Sequence, residues 1–188
     1  MTPLTILIPA AGASSRMKGA DKLLELVEDQ PLLRRQVLMA LPLAPVIVTL
    51  RPDDPRALVL QDLTLTILPV PDAATGLSAS LRATARMVRT ALMILPADMP
   101  ALTSADLATV IAAFDQAPQT SHRGASANGT PGHPVILPAR YLPEIMLLSG
   151  DSGARSILAR DGVTLVPLPA DHATTDLDTP EDWARWRR

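Results

Sequence analysis

The sequence predicts an α/β fold built on a mainly parallel sheet that helices cover on both faces. Short, nearly continuous apolar runs bounded by Gly, Pro and Asp recur along the chain, and stretches with helical apolar spacing separate most of them. Size agrees: 188 residues suit one α/β domain with a substantial core, so residues 1–188 are expected to form a single domain.

Taken in order, the strand candidates are residues 4–8, 46–50, 65–68, 91–95, 134–137 and 163–168. Helical spacing marks 32–41, 77–88 and 107–114. Two helix starts are legible as capping boxes with Asp in place of Glu, Thr103 with Asp106 and Thr179 with Asp182, and Pro180 takes the favoured first helical position. The polar stretch 118–132, rich in Gly, Ser and Thr, reads as a mobile loop.

Composition excludes several function classes. Net charge is −2 and Arg is scattered, so the basic footprint of a nucleic-acid binder is missing. An aromatic fraction of 2% removes the stacking platforms of single-strand binders. With no Cys there are no disulfides, thiolate metal sites or cysteine nucleophiles. The apolar run 4–11 is too short to span a membrane and lacks a basic flank, so no membrane association and a cytoplasmic location are expected. The basic residues divide into 15 Arg and 2 Lys, and the two lysines, Lys18 and Lys22, lie four residues apart.

In open parallel sheets, ligands bind beyond the carboxyl ends of the strands, so chemistry is sought just after each apolar run. After the first comes Pro9-Ala10-Ala11-Gly12-Ala13-Ser14-Ser15-Arg16, continuing to Lys22. Small residues let backbone approach a ligand and aim N–H groups at phosphate oxygens, while Arg16 and Lys22 add positive charge. Neither Walker nor GxGxxG spacing is met, and a plain strand-to-loop turn with solvated cations is the alternative. After the run 91–95 comes Asp98, between Pro96 and Pro100, placed either to hold a hard cation such as Mg2+ or to satisfy turn amides. Asp176 and Asp178 alternate in an extended segment before the helix capped by Thr179, so both face one side. Ser78 and Ser80 open the helix at 77–88 and suit a nucleobase, ribose or phosphate, or simply a helix start. The segments Gly132-His133-Pro134 and Gly150-Asp151-Ser152-Gly153-Ala154-Arg155 could face a second substrate. His122, His133 and His172 lack zinc-ligand spacing, and no GxSxG elbow occurs.

Together and in this order, LIPAAGASSRMKGADKLL, GLSASLR, LPADMP, GHPVILP, GDSGAR and DLDTPEDW resemble the nucleotidyltransferase family that includes the molybdenum cofactor cytidylyltransferases and guanylyltransferases. The resemblance implies a three-layer α/β/α sandwich with a mostly parallel, Rossmann-like sheet of the nucleotide-diphospho-sugar transferase type. It also implies Mg2+-dependent transfer of CMP from CTP to a molybdopterin-type acceptor. On this sequence, Arg16 and Lys22 would bind phosphates and Asp98 the metal. Asp178, directly before Thr-Pro-Glu-Asp, would be the second metal contact, with Asp176 as the alternative. Residues Ala10, Ala11, Gly12, Ala13, Ser14 and Ser15, with Ser78 and Ser80, would hold the nucleotide, and His133 and Asp151 would face the substrates. The Ala10-Ala11-Gly12 run is similar to the cytidylyl branch. Pro9 departs from the family's usual Leu, and Ala97 from its frequent Gly. A guanylyl or sugar-phosphate transferase, or a non-catalytic nucleotide-binding module, is the competing implication. Partners implied are CTP, a phosphorylated acceptor such as molybdopterin, and a molybdoenzyme or its chaperone.

Overall fold

The computed structural model describes residues 2–13, 17, 21–150 and 153–187. Strand β1 (Leu4–Pro9) leads to a small hairpin, β2 (Leu26–Val27) and β3 (Gln30–Pro31), then α1 (Leu32–Ala40) and β4 (Val46–Leu50). A 3-10 turn (Pro55–Leu60) precedes β5 (Thr66–Pro69), α2 (Leu77–Met87), β6 (Ala91–Ile94) and α3 (Ser104–Gln116). The second half holds β7 (His122–Ala125), β8 (Pro131–Leu137), α4 (Leu142–Ile145), α5 (Arg155–Asp161), β9 (Thr164–Pro167) and α6 (Pro180–Trp186).

Seven of these strands form one sheet in the order β5-β4-β1-β6-β8-β7-β9. All pairs are parallel except those that β8 makes with β6 and β7. Successive side chains of a strand point to opposite faces, which divides the core in two. Ile6 and Ile8 of β1 pack with Val37 of α1 and Val110 and Phe114 of α3. Leu7 faces the other way, onto Leu81 and Ala85 of α2, Ile145 of α4 and Ile157 of α5. The predicted three-layer α/β/α sandwich with a mostly parallel sheet is the one observed.

The two predicted capping boxes form. Thr103 and Asp106 close the start of α3, and Thr179 and Asp182 close that of α6, with Pro180 in its first turn.

The stretch 118–132 is a correction. It holds β7, an inner strand hydrogen-bonded to β8 on one side and β9 on the other, and the start of β8. Two of its glycines, Gly124 and Gly132, mark close approach of backbones rather than looseness. A Cβ on Gly124 would stand 2.4 Å from the His133 carbonyl oxygen, and one on Gly132 would stand 1.8 Å from that of Ala173.

From β1 the chain winds outward through β4 to β5, then returns to place β6 on the other side of β1. This reversal leaves a crevice at the carboxyl ends of β1 and β6, the place where α/β sheets bind ligands.

Candidate active site

A cleft of about 440 Å3 opens at that crevice. Its floor is the chain leaving β1, where Ala10 and Ala11 are buried and, with Pro9 and Gly12, line the cleft. The Ala10 amide is tied to the Thr49 carbonyl of β4 at 3.0 Å. Small side chains here leave the backbone as the surface a ligand meets. Ala13 is exposed and falls outside the lining. Ser14, Ser15, Arg16 and Lys18 lie outside the described residues, as does Asp151.

Lys22 stands between two carboxylates that come from distant parts of the chain. Its Nζ donates to Asp98 Oδ2 at 2.5 Å and to Asp178 Oδ1, and all three line the cleft. Burial weighs against the ammonium's charge, but the Asp98 carboxylate and the hydrogen bonds of both acids outweigh it and raise the pKa above the usual lysine value.

The backbone explains how the acids meet. Asp98 sits in the turn after β6, and its carbonyl accepts the Leu177 amide at 3.0 Å, docking the last segment onto that turn. Leu177 is buried in a small cluster with Met17, Val27, Leu32 and Trp183. The residues on either side of it, Asp176 and Asp178, therefore turn toward the site, as the alternation predicted. The capping box of α6 fixes this end, because Asp182 Oδ2 accepts the amides of Asp178 at 3.2 Å and Thr179 at 2.9 Å.

Asp178 lines the main cleft, whereas Asp176 lines a second cavity of about 460 Å3 that shares Pro96, Asp98 and His133 with the first. Burial, then the nearby Asp178 and Asp98 charges, raise the Asp176 pKa. Among the described residues no group of three or more His, Asp or Glu side chains is placed to hold a metal ion. Two carboxylates do converge on one cation, the Lys22 ammonium, and that donor set suits Mg2+, which takes one or two carboxylates and completes its shell with water and substrate phosphates.

A family model described as the MobA-like NTP transferase domain matches residues 6–165. The chain belongs to this family. Its fold is that of a homologue of the Mycobacterium tuberculosis protein Rv0371c from Mycobacterium sp. strain JC1, at 30% identity over 97% of this chain and 94% of that one, with a TM-score of 0.82. Rv0371c from M. tuberculosis H37Rv, solved in complex with manganese, is 24% identical over 98% of this chain and 97% of its own, with a TM-score of 0.79. CMP:2-keto-3-deoxy-manno-octonic acid synthetase, solved with CTP, shares 15% identity over 99% and 97% of the two chains at a TM-score of 0.77. The architecture is thus that of the nucleotide-diphospho-sugar transferases. No curated protein matches the chain.

Within this MobA-like domain the remaining predicted residues separate. Ser80 lines the cleft, and its Oγ accepts the Thr49 hydroxyl at 2.9 Å. Ser78 is buried and turned to structure: its Oγ accepts Arg82 Nη1 at 3.0 Å, and its amide donates to the Gly150 carbonyl at 3.2 Å. His133 lines both cavities; burial first, and then the Arg123 charge, push its pKa down to about 4, so the ring is neutral at pH 7. Its Nδ1 is buried without a hydrogen-bond partner. His122 packs edge-on to Phe114 and His172 meets Asp106, so both serve structure.

Two arginines enter that sequence reasoning missed. Arg123 of β7 lines the second cavity, its guanidinium held by the carbonyls of Gly132 at 2.7 Å and Pro131 at 3.3 Å. Burial and the Arg155 charge lower its pKa, and among the described residues no carboxylate pairs with it. Arg56, just past β4, is 1% exposed and reaches the chain beneath the cleft. The available signal is position: Arg56 follows Asp54-Pro55 just beyond the carboxyl end of β4.

Proposed function

We propose that this chain is a Mg2+-dependent nucleotidyltransferase that transfers CMP from CTP to a phosphorylated acceptor of the molybdopterin type and releases pyrophosphate. The observation that carries the reading is the convergence of Lys22, Asp98 and Asp178 at the switch-point cleft of a MobA-like NTP transferase domain.

An oxygen of the acceptor phosphate attacks the α-phosphorus of CTP in line. The bond from that phosphorus to the bridging oxygen of the β-phosphate breaks, and pyrophosphate leaves with the bond's electron pair. The acceptor phosphate is already anionic at neutral pH, so no general base is required, consistent with the neutral His133. Catalysis then rests on positioning and on positive charge where negative charge gathers. Lys22, held charged by its two acids, supplies that charge at the α-phosphate. Arg16 is assigned to the β and γ oxygens from its place in the motif. Asp98 and Asp178 would hold Mg2+, which supplies charge neutralisation across the phosphates when bound. Ala10, Ala11 and Gly12 let the backbone follow the nucleotide, and Ser80, whose oxygen is already hydrogen-bonded by Thr49, offers its own proton to the base.

The second cavity receives the acceptor. It adjoins the cleft through Asp98 and His133, and Arg123 offers a guanidinium not neutralised by any carboxylate among the described residues. The Ala10-Ala11-Gly12 run supports CTP, and the family supports an NTP as donor.

Purified protein supplied with each NTP, Mg2+ and molybdopterin is expected to release pyrophosphate fastest with CTP. Preference for GTP would overturn the CMP assignment. Mg2+-dependent nucleotide binding without turnover on any acceptor would make the domain a binding module.

A further inference from the structure

We infer that Arg56 is a positioning residue for nucleotide binding, a buried clamp that ties the backbone leaving β1, at Ala10 and Gly12, to Asp21, the residue before Lys22. The inference rests on the nucleotidyltransferase reading, in which Ala10 to Gly12 follow the nucleotide and Lys22 meets its α-phosphate.

The 3-10 turn that carries Arg56 begins with Asp54 and Pro55. Asp54 Oδ1 accepts the Arg56 amide at 3.1 Å, and Asp54 Oδ2 accepts Arg51 Nε at 3.0 Å, so the backbone at Arg56 is set before its side chain is considered. The side chain then runs inward and donates to two stretches of chain that are neighbours in space but not in sequence. Nη1 donates to the Ala10 carbonyl at 2.5 Å and to that of Gly12 at 2.8 Å. Nε and Nη2 grip the two oxygens of Asp21 at 2.6 and 2.9 Å in a bidentate pair. One planar group therefore joins the chain where it leaves β1 to the residue immediately before Lys22.

A guanidinium suits this role for geometric reasons. It is a rigid fork with donors on two edges, so it can hold a carboxylate on one edge and carbonyls on another at fixed mutual orientation. Buried arginine is costly unless its charge and N–H groups are met. Here the buried group meets the Asp21 carboxylate and the Ala10 and Gly12 carbonyls under the cleft, and the buried Asp54 carboxylate stands 3.9 Å from its Nε. Structural need alone does not account for that choice, because an apolar residue of similar volume would fill the space without tying the two ends. Release of the Arg56 clamp frees Ala10 to Gly12 and Asp21 together, and with Asp21 goes the backbone that aims Lys22 at Asp98 and Asp178.

The test compares Arg56→Met, Arg56→Lys and Asp21→Asn with wild type. Calorimetry reads Mg2+·CTP and Mg2+·GTP binding, steady-state pyrophosphate release reads KM for nucleotide and acceptor, and hydrogen exchange without nucleotide reads the amides of Ala10 to Gly12 and of Asp21 to Leu23. The expected result is a nucleotide Kd and KM raised at least tenfold in Arg56→Met and Asp21→Asn, with acceptor KM within twofold of wild type. Exchange at both sets of amides rises at least tenfold, and Arg56→Lys recovers only part of the loss, since an ammonium cannot serve both edges. A merely structural residue would reduce the fraction of active enzyme, seen as a lower apparent kcat with both KM values unchanged; that outcome, or unchanged exchange, overturns the inference. If Arg56→Met fails to fold, Asp21→Asn decides, because Asp21 lies at the surface end of the pair with a quarter of its side chain exposed. If wild type binds neither nucleotide, the functional reading falls, and the exchange comparison still tells whether the clamp exists.

Discussion

Lys22 shows how one side chain gains its chemistry from its surroundings. With 15 arginines and 2 lysines in the chain, an ammonium at this point marks a place where a compact charge on a flexible stem is wanted. Lys22→Ala is expected to lower turnover about 100-fold, the scale of losing one transition-state donor, and Lys22→Arg is the sharper variant: if shape matters as well as charge, it recovers little activity in the pyrophosphate assay. Asp176 is crowded by Asp178 and Asp98, which raise its pKa together with burial. Its ionised form is disfavoured in the folded protein, so Asp176→Asn in metal-free buffer at pH 7 should raise Tm; because this carboxylate is largely exposed, screening limits the gain to about 1–2 °C. His133 titrates in the opposite sense. Its pKa falls from 6.5 to about 4 on folding, so the unfolded chain binds the proton more tightly. Its contribution is fully present above pH 6.5 and is lost as pH falls toward 4, amounting to about 3 kcal/mol at full extent. Denaturant titrations across that range should show a shallower acid loss in His133→Asn.

The two capped helices allow a matched comparison at the scale of elements. Thr103→Ala and Thr179→Ala each remove the side chain that accepts the N3 amide, and each should cost about 1 kcal/mol of stability. They should differ in binding. The box of α6 also holds the Asp178 amide through Asp182, so Thr179→Ala is expected to weaken Mg2+·CTP binding several-fold in calorimetry, whereas Thr103→Ala leaves it unchanged. These caps were legible because their residue types and spacing are local, as were the apolar runs of β1, β4 and β6, buried on both faces. Strand β7 was not legible. His122, Arg123 and Gly124 lack an apolar pattern, and what makes them a strand is pairing with β8 and β9, partners the sequence does not announce. The same limit applies to the site. Asp98 and Asp178 followed from motif positions, but the role of Arg56 depends on Ala10, Gly12 and Asp21 folding back onto it across more than 30 residues, which no spacing rule encodes.

Among the described residues two large hydrophobic cores cover the faces of one sheet and a smaller cluster lies under the last motif, with the cleft where the winding direction reverses. Substrate that binds there bridges elements from both ends of the chain, from Ala10 to Asp178. Binding should therefore stabilise the global fold: at about 100 times its dissociation constant Mg2+·CTP is expected to add about 2.7 kcal/mol, read as a rise in Tm that EDTA removes. Among the described residues no helix is long and apolar enough to cross a membrane.

The reversed strand β8 has a consequence for how such a molecule diversifies. A strand running against its neighbours brings its amino end, Pro131 to His133, to the same rim as the carboxyl ends of β1 and β6. The turn joining β7 to β8, with Gly129 at φ 87°, therefore projects from the rim above the second cavity. Chain can be added, removed or rewritten at that tip without shifting the register of any strand that builds the first cleft. On the proposed function, one half of the rim is thus free to track the size and shape of the acceptor while the other half keeps its triphosphate chemistry constant.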